Sequence, residues 1–414
     1  MIAASANKCR VVAYLSLFKA VYFILLSVAL LVWPMTTKDN KEFLSDRQLW
    51  TSDGHLLLRS HFVAWDADYY LCLSKEGYKP GSEACAFYPL YPFLIRWVST
   101  VTGGNDVLVG ILLANLFSLA AFVLFFQMAV RRYGKSAAVL ALLLLLTFPG
   151  SLFFQFIYTE SLFFLLLMLL CFALERGYFA LTLGAAFLLP LTRAVGIFCI
   201  FPLLWHLFFK SPPTWWMNIT SRQGWTGRFV RSMGLFNRDS LVLNSPARSG
   251  IGTVFLVLAP ILGWLTYFVL MRKWTGNAFE GIEAQKQFGV QSIHNLFDPL
   301  WFAKHLFFPT GWHNSTGSVL DRCIFILLIY CFPLIWKLDK GWCVWAFFLG
   351  VVPAVSGGFT SYTRFASVVF PLFIALGVFL NKSGLCWLRW LVLTTFIVVH
   401  LILVWRFVNF RWAG

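Results

Sequence analysis

The sequence predicts an all-α polytopic membrane protein, and three observations carry that prediction. Of 414 residues, 59% are hydrophobic and 19% aromatic while only 12% are charged, against about a quarter charged in an ordinary soluble domain. Apolar runs near the length of about 20 residues needed to cross a hydrocarbon core of about 30 Å recur from end to end. The formal net charge of +16 is also distributed as membrane topology would distribute it. With the N-terminus inside, the inner segments collect sixteen lysines and arginines against three acids, Glu175, Asp239 and Asp339. This positive-inside bias accounts for the basic balance, so the bilayer is the expected partner and no nucleic acid is required.

Taken in order, the first apolar run, 11–33, follows Lys8 and Arg10 as a signal peptide would. It is longer than a secretory h-region and lacks a small-residue cleavage site, so a retained first span is expected. Further spans are expected near 107–130, 137–150, 158–174, 178–190, 194–209, 251–271, 319–336, 342–356, 366–380 and 385–405, about eleven transmembrane helices in one domain over 1–414. Three polar stretches interrupt them. The first, 34–106, is a large outer loop, and within it 87–101 ("FYPLYPFLIRWVSTV") reads as an interfacial or re-entrant helix, too short to span. The second, 210–250, has six cations to one acid and reads as a basic cytoplasmic loop facing anionic headgroups. The third, 272–318, returns outside. Outer loops over a rigid helical scaffold are where such a protein places chemistry.

The stretch "HFVAWDADYYLCLSKEGYKP", 61–80, holds two acids two apart among aromatic residues. In an extended chain Asp66 and Asp68 face the same way and converge on one ligand; in a helix they diverge. A carboxylate partly desolvated by Trp65, Tyr69 and Tyr70 gains proton affinity and becomes a better general base. The same six residues also fit an ordinary helix cap or loop acid. Glu160, after "FQFIYT", and Arg193, in "LLPLTRAVGIF", sit where a charge costs roughly 2.5–3.5 kcal/mol, so they are expected to face a cavity or to snorkel. Arg364, in "GGFTSYTRFASVVFP", repeats the pattern, and two arginines with no obvious carboxylate beside either suit an anionic phosphate. Six of nine cysteines fall on spans as small hydrophobes, while Cys72 and Cys85 share the outer loop and would pair if that side is oxidising. His55, His61, His294, His305 and His313 lack metal-ligand spacing. No GxGxxG, Walker or GxSxG motif is present.

"WDADYYLCLSKEGY" followed by "AFYPLYPFLIR" resembles the signature of the PIG-V family, which includes GPI mannosyltransferase 2 and prokaryotic relatives. "YTESLFFLLLMLLCFALERG", "LTRAVG" and "SYTRFASVVFP" are similar to that family's later elements, so the resemblance runs over nearly the whole chain. Tyr88 stands where the family commonly has Phe, Asp68 occupies a position the family varies, and the chain is shorter than the eukaryotic enzymes.

The resemblance implies a GT-C glycosyltransferase fold and the transfer of mannose or a similar hexose, with inversion, from a dolichyl- or polyprenyl-phosphate carrier to a glycolipid acceptor. Asp66, with Asp68, is implied as catalytic. Trp65, Tyr69, Tyr88, Glu160, Arg193, Gln285 and Arg364 are expected to bind substrate. No cofactor is implied beyond the lipid-phosphate sugar donor; a divalent metal is compatible but not required, and there is room for an accessory membrane subunit. The active side would be periplasmic or lumenal, in a bacterial inner membrane or the endoplasmic reticulum, and glycan on the sequon Asn314-Ser315-Thr316 would mark a eukaryotic host. The competing readings are a multispan transporter, whose polar bulk would be shared between matched halves, and a GT-C enzyme acting on protein or envelope glycan.

Overall fold

The structure, a computed structural model, describes residues 2–33, 57–210, 250–288, 293–315 and 318–414. Residues 34–56 with His55, the basic loop over 211–249 and Thr316 of the sequon lie outside the described residues.

Among the described residues the chain is helical, with a single isolated bridge between Gly311 and Ser318. The helices are α1 (Ile2–Val32), α2 (Asp66–Glu76), α3 (Leu90–Thr102), α4 (Asp106–Thr147), α5 (Glu160–Arg176), α6 (Phe179–Leu188), α7 (Ile200–Trp205) and α8 (Gly250–Thr275). They continue as α9 (Glu280–Gln287), α10 (Pro299–Phe307), α11 (Val319–Leu338), α12 (Lys340–Ala346), α13 (Val352–Gly357), α14 (Tyr362–Ala366), α15 (Phe370–Leu380) and α16 (Cys386–Val408). Among the described residues six stretches are long and apolar enough to cross a membrane: Cys9–Val32, Asp106–Thr147, Ile251–Thr275, Val319–Leu338, Lys340–Gly357 and Ser383–Val408. The chain is an integral membrane protein.

The other apolar segments expected as spans are helical but shorter. Phe179–Leu191, Ala194–Lys210 and Phe370–Leu380 fall short of a full crossing at about 1.5 Å per residue. The expected spans 107–130 and 137–150 are two limbs of α4, which breaks at Gly134 (φ 81°, ψ 168°). Only glycine takes that backbone at little cost, and Arg131, Arg132 and Lys135 crowd the turn. The second limb returns to Pro149, and 3₁₀ turns over Pro149–Phe154 lead into α5. This hairpin lifts Glu160 to the same end of the bundle as α2. At the opposite end Arg132 pairs with Glu175 and, at 2.8 Å, with Asp339, which also takes Lys210.

The core is aromatic. Phe122, Phe125, Phe148, Phe153, Phe154, Phe156 and Phe164 are fully or almost fully buried, and α15 and α5 both pack on α4. α1 is fastened by a polar clasp: buried Lys19 donates to Asn115 Oδ1 at 3.0 Å, Ser118 Oγ at 2.8 Å and Gln155 Oε1 at 2.8 Å. At the α2 end, two loops are knitted together. α9 rests on the turn Glu83–Ala86, Glu280 Oε1 accepts the Gly81 N–H at 2.5 Å, and Tyr78 stacks on Trp274 with centroids 4.8 Å apart. α3 buries Tyr91, Ile95 and Ser99 and leaves Phe93 and Trp97 exposed. Neither Cys72 nor Cys85 is in a disulfide, and the Cys85 thiol donates instead to the Lys79 carbonyl at 3.1 Å. The disulfide expected for an oxidising exterior is therefore absent from the structure.

Candidate active site

Residues 66–76 form a helix, which settles the alternative the sequence leaves open. Asp66 and Asp68 occupy its first turn, where carboxylates are favoured by the exposed N–H groups and the helix dipole. Helical residues two apart do not share a face, so the two acids do not converge. Trp65, immediately before, has φ 59° and ψ −126°, a backbone that a bulky L-residue adopts only under constraint, at a cost of about 1–3 kcal/mol. Its ring meets Trp412 edge-on at 5.4 Å. This bend starts α2 at Asp66 and turns that side chain into the bundle.

There it meets charges from three other parts of the chain. Arg364 donates from Nη1 to Asp66 Oδ2 and from Nε to Glu160 Oε1, and Arg193 donates from Nη1 to the same Glu160 oxygen. The result is a continuous chain, Asp66–Arg364–Glu160–Arg193, with two charges of each sign. The expectation that Arg193 and Arg364 lack a neighbouring carboxylate is overturned: Glu160 serves both. Side-chain exposure along that chain is 26% at Asp66, 11% at Arg364, 0% at Glu160 and 8% at Arg193. Asp66 is thus the accessible end. Removing charges from water costs several kcal/mol per ion unless each is well paired, and the arginines gain further support from aromatic faces. The Arg364 guanidinium lies 4.7 Å from the Tyr158 ring centroid and 5.5 Å from Phe153, and Arg193 lies 4.7 Å from Phe365.

Two kinds of polar capacity are left over. Glu160 Oε2 is buried and has no hydrogen-bond partner among the described residues. A guanidinium carries five N–H donors, of which Arg364 uses two on side chains and Arg193 one. The cluster is neutral in sum yet still able to donate to an anion.

The other expected residues lie on α2, on the loop that follows it and on α9. Tyr69 donates to Glu83 Oε2 at 2.8 Å and stacks on Phe87 at 4.8 Å. Tyr88 stacks on Tyr267 at 4.5 Å. Gln285 is half-buried on α9, and Asp68 is half-buried in the first turn of α2. Sequence reasoning missed Tyr70 and Tyr158 as site residues. The Tyr70 hydroxyl lies 3.3 Å from Thr159 Oγ1, and Tyr158 donates to the Ala64 carbonyl at 3.3 Å. Both hydroxyls sit inside quoted motifs, so the signal was present as a tyrosine beside an acid. Among the described residues no three of His, Cys, Asp and Glu gather as metal ligands. An apolar groove of about 570 Å³, lined by residues including Trp205, Trp336 and Phe348, opens at the Arg132 end and holds none of these residues.

The first half of the sequence matches the family model described as Mannosyltransferase (PIG-V), over residues 8–211. Residues 8–211 are similar to the PIG-V family. The matched region supplies Asp66, Glu160 and Arg193, and Arg364 reaches the cluster from outside it. No match is found among curated proteins. Among solved structures, the chain is similar to ArnT from Cupriavidus metallidurans bound to undecaprenyl phosphate. That likeness has 15% identity and a TM-score of 0.42, over 76% of this chain and 53% of that one. It is also similar to the Archaeoglobus fulgidus oligosaccharyltransferase tethered with an acceptor peptide, at 12% identity and a TM-score of 0.41, over 86% of this chain and 51% of that one. The chain spans about half the length of these structures.

Proposed function

We propose that the chain is a membrane glycosyltransferase that moves a hexose, mannose by family likeness, from a dolichyl- or polyprenyl-phosphate carrier to a hydroxyl of a lipid-linked or GPI-like glycan. The reaction would invert the anomeric centre and run at the extracytoplasmic face. One observation carries this reading: Asp66, in the PIG-V signature, is the accessible end of a buried chain of charges whose arginines keep N–H donors that no described residue accepts.

In the proposed step the acceptor hydroxyl oxygen attacks C1 of the sugar and its proton passes to the Asp66 carboxylate. The C1–O bond to the carrier phosphate breaks, and its electron pair leaves with the phosphate. Arg364 and Arg193 donate to the phosphate oxygens as charge gathers there, in a site already stripped of most water, where such donors act more strongly than in solution. The carrier keeps its tail in lipid and presents C1 at headgroup level, so an opening at the membrane surface suits it better than a soluble nucleotide pocket. A metal has no assigned part, since a lipid phosphate is already a competent leaving group.

The test supplies purified protein with labelled polyprenyl-phosphate mannose and candidate glycolipid acceptors. Asp66→Asn is expected to lower kcat by about 10²–10⁴-fold, the usual share of a general base, with donor KM little changed. An Asp66→Asn protein that transfers sugar as fast as the parent would refute the assignment.

A further inference from the structure

We propose that Asp321 is a positioning residue that aims Arg364 by gripping the peptide immediately before it; this rests on the glycosyltransferase reading of the Arg364 site. Asp321 lies in the first turn of α11 with its side chain fully buried. A carboxylate so placed ordinarily has a cation beside it. Among the described residues no lysine or arginine pairs with this one. The guanidinium of the adjacent Arg322 donates instead to the carbonyls of Leu306 at 3.1 Å, Ser318 at 2.8 Å and His305. The histidine opposite, His313, has its Nδ1 3.8 Å from Asp321 Oδ2 and 3.0 Å from Ser318 Oγ.

What Asp321 does hold is Thr363. Its Oδ1 accepts the Thr363 N–H at 2.6 Å and also the Thr363 hydroxyl. The other side of the same residue is equally constrained, because a Cβ built on Gly150 would lie 2.0 Å from the Thr363 carbonyl oxygen. The approach to Thr363 is strained: Gly358, Phe359 and Ser361 have φ of 55°, 70° and 55°, and such conformations persist in non-glycine residues only where surrounding contacts over-determine them. Asp321 supplies two of those contacts. The next residue is Arg364, whose guanidinium bridges Asp66 and Glu160, 298 and 204 residues away in sequence. Releasing the Thr363 peptide would free the root of that side chain and spoil the bridge without touching any substrate atom.

The experiment compares Asp321→Ala, Asp321→Asn and Thr363→Val with Arg364→Ala, in two readouts on the full-length protein. The first is a double-mutant cycle on kcat. Asp321→Ala is expected to lower kcat by about 10–100-fold with donor KM little changed, the effect of misplacing a reacting group by about 1 Å. The same change in the Arg364→Ala background is expected to cost nothing further. Asp321→Asn keeps an acceptor oxygen and is expected to restore most of the rate. The second readout needs no turnover: the rate at which phenylglyoxal modifies Arg364, followed by peptide mass spectrometry. Asp321→Ala is expected to raise that rate severalfold, Thr363→Val to raise it less, and Asp321→Asn to leave it near the parent value. Additive losses in the cycle, or an Arg364 labelling rate that ignores all three variants, would overturn the proposal. If the parent protein transfers no sugar, the glycosyltransferase reading falls while the labelling still decides what Asp321 does. If Asp321→Ala does not fold, the asparagine and valine variants carry the labelling comparison.

Discussion

Glu160→Gln is the substitution whose consequence follows most directly from the geometry. Glu160 is fully buried, and one of its oxygens accepts from two arginines that are themselves only 8% and 11% exposed in their side chains. An amide in its place preserves shape but turns a neutral cluster into one with a net positive charge, leaving Asp66 as sole counter-charge to Arg193 and Arg364. Removing one partner from a buried ion pair costs about 3–5 kcal/mol, and with exposures this low solvent screening offers little relief. An unfolding entropy of about 2.1 cal/mol/K per residue over 414 residues gives about 0.9 kcal/mol/K, so the cost appears as a Tm lower by about 3–6 °C. The assay is thermal unfolding of detergent-solubilised protein, followed through its tryptophan fluorescence. A paired variant, Glu160→Gln with Arg193→Met, restores charge balance and is expected to recover at least half of the loss, a non-additivity that only coupled residues show. A Tm for Glu160→Gln within about 1 °C of the parent, or strictly additive losses in the pair, would refute the account of Glu160 as the shared counter-charge.

Two further outcomes are expected. Gly150→Ala drives a methyl group into the Thr363 carbonyl and should cost about 1–3 kcal/mol or more in stability by thermal unfolding, with a fall in kcat larger than its change in donor KM. Intact mass after alkylation should find Cys72 and Cys85 both alkylated without prior reduction. Cys85 should be the slower, because burial raises its thiol pKa and leaves less thiolate at neutral pH; raising the pH should narrow the difference.

The individual charges of the site were legible in the sequence, and their assembly was not. Glu160, Arg193 and Arg364 stand out because a charge inside an apolar stretch is costly, and that cost is a local property of composition. Their pairing is not local: the partners are 33, 204 and 298 residues apart, and no periodicity encodes contacts across such separations. The spacing of Asp66 and Asp68 misleads as a possible convergent pair because period-two reasoning presumes an extended chain, whereas the backbone turn at Trp65 begins a helix there. Asp321 passed unnoticed since an acid opening a helix reads as routine, and its role depends on Thr363 being folded against it. Hydropathy located the helical segments well. It overstated how many are long enough to span, because it measures apolarity and cannot sense that the second limb of α4 ends in 3₁₀ turns before a full crossing.

The clasp at Lys19 bears on how the molecule is made. Its most distant acceptor, Gln155, is 136 residues downstream, so a ribosome adding about 5–20 residues per second delivers it roughly 7–27 s after the lysine. For that interval the first span carries an ammonium group without its full set of native acceptors, Asn115 and Ser118 following it by 96 and 99 residues and Gln155 by 136, and a charge at mid-bilayer is a burden of about 2.5–3.5 kcal/mol. The insertion machinery must shelter this helix until the hairpin arrives, which makes biogenesis, more than the finished fold, the stage at which α1 is most easily lost.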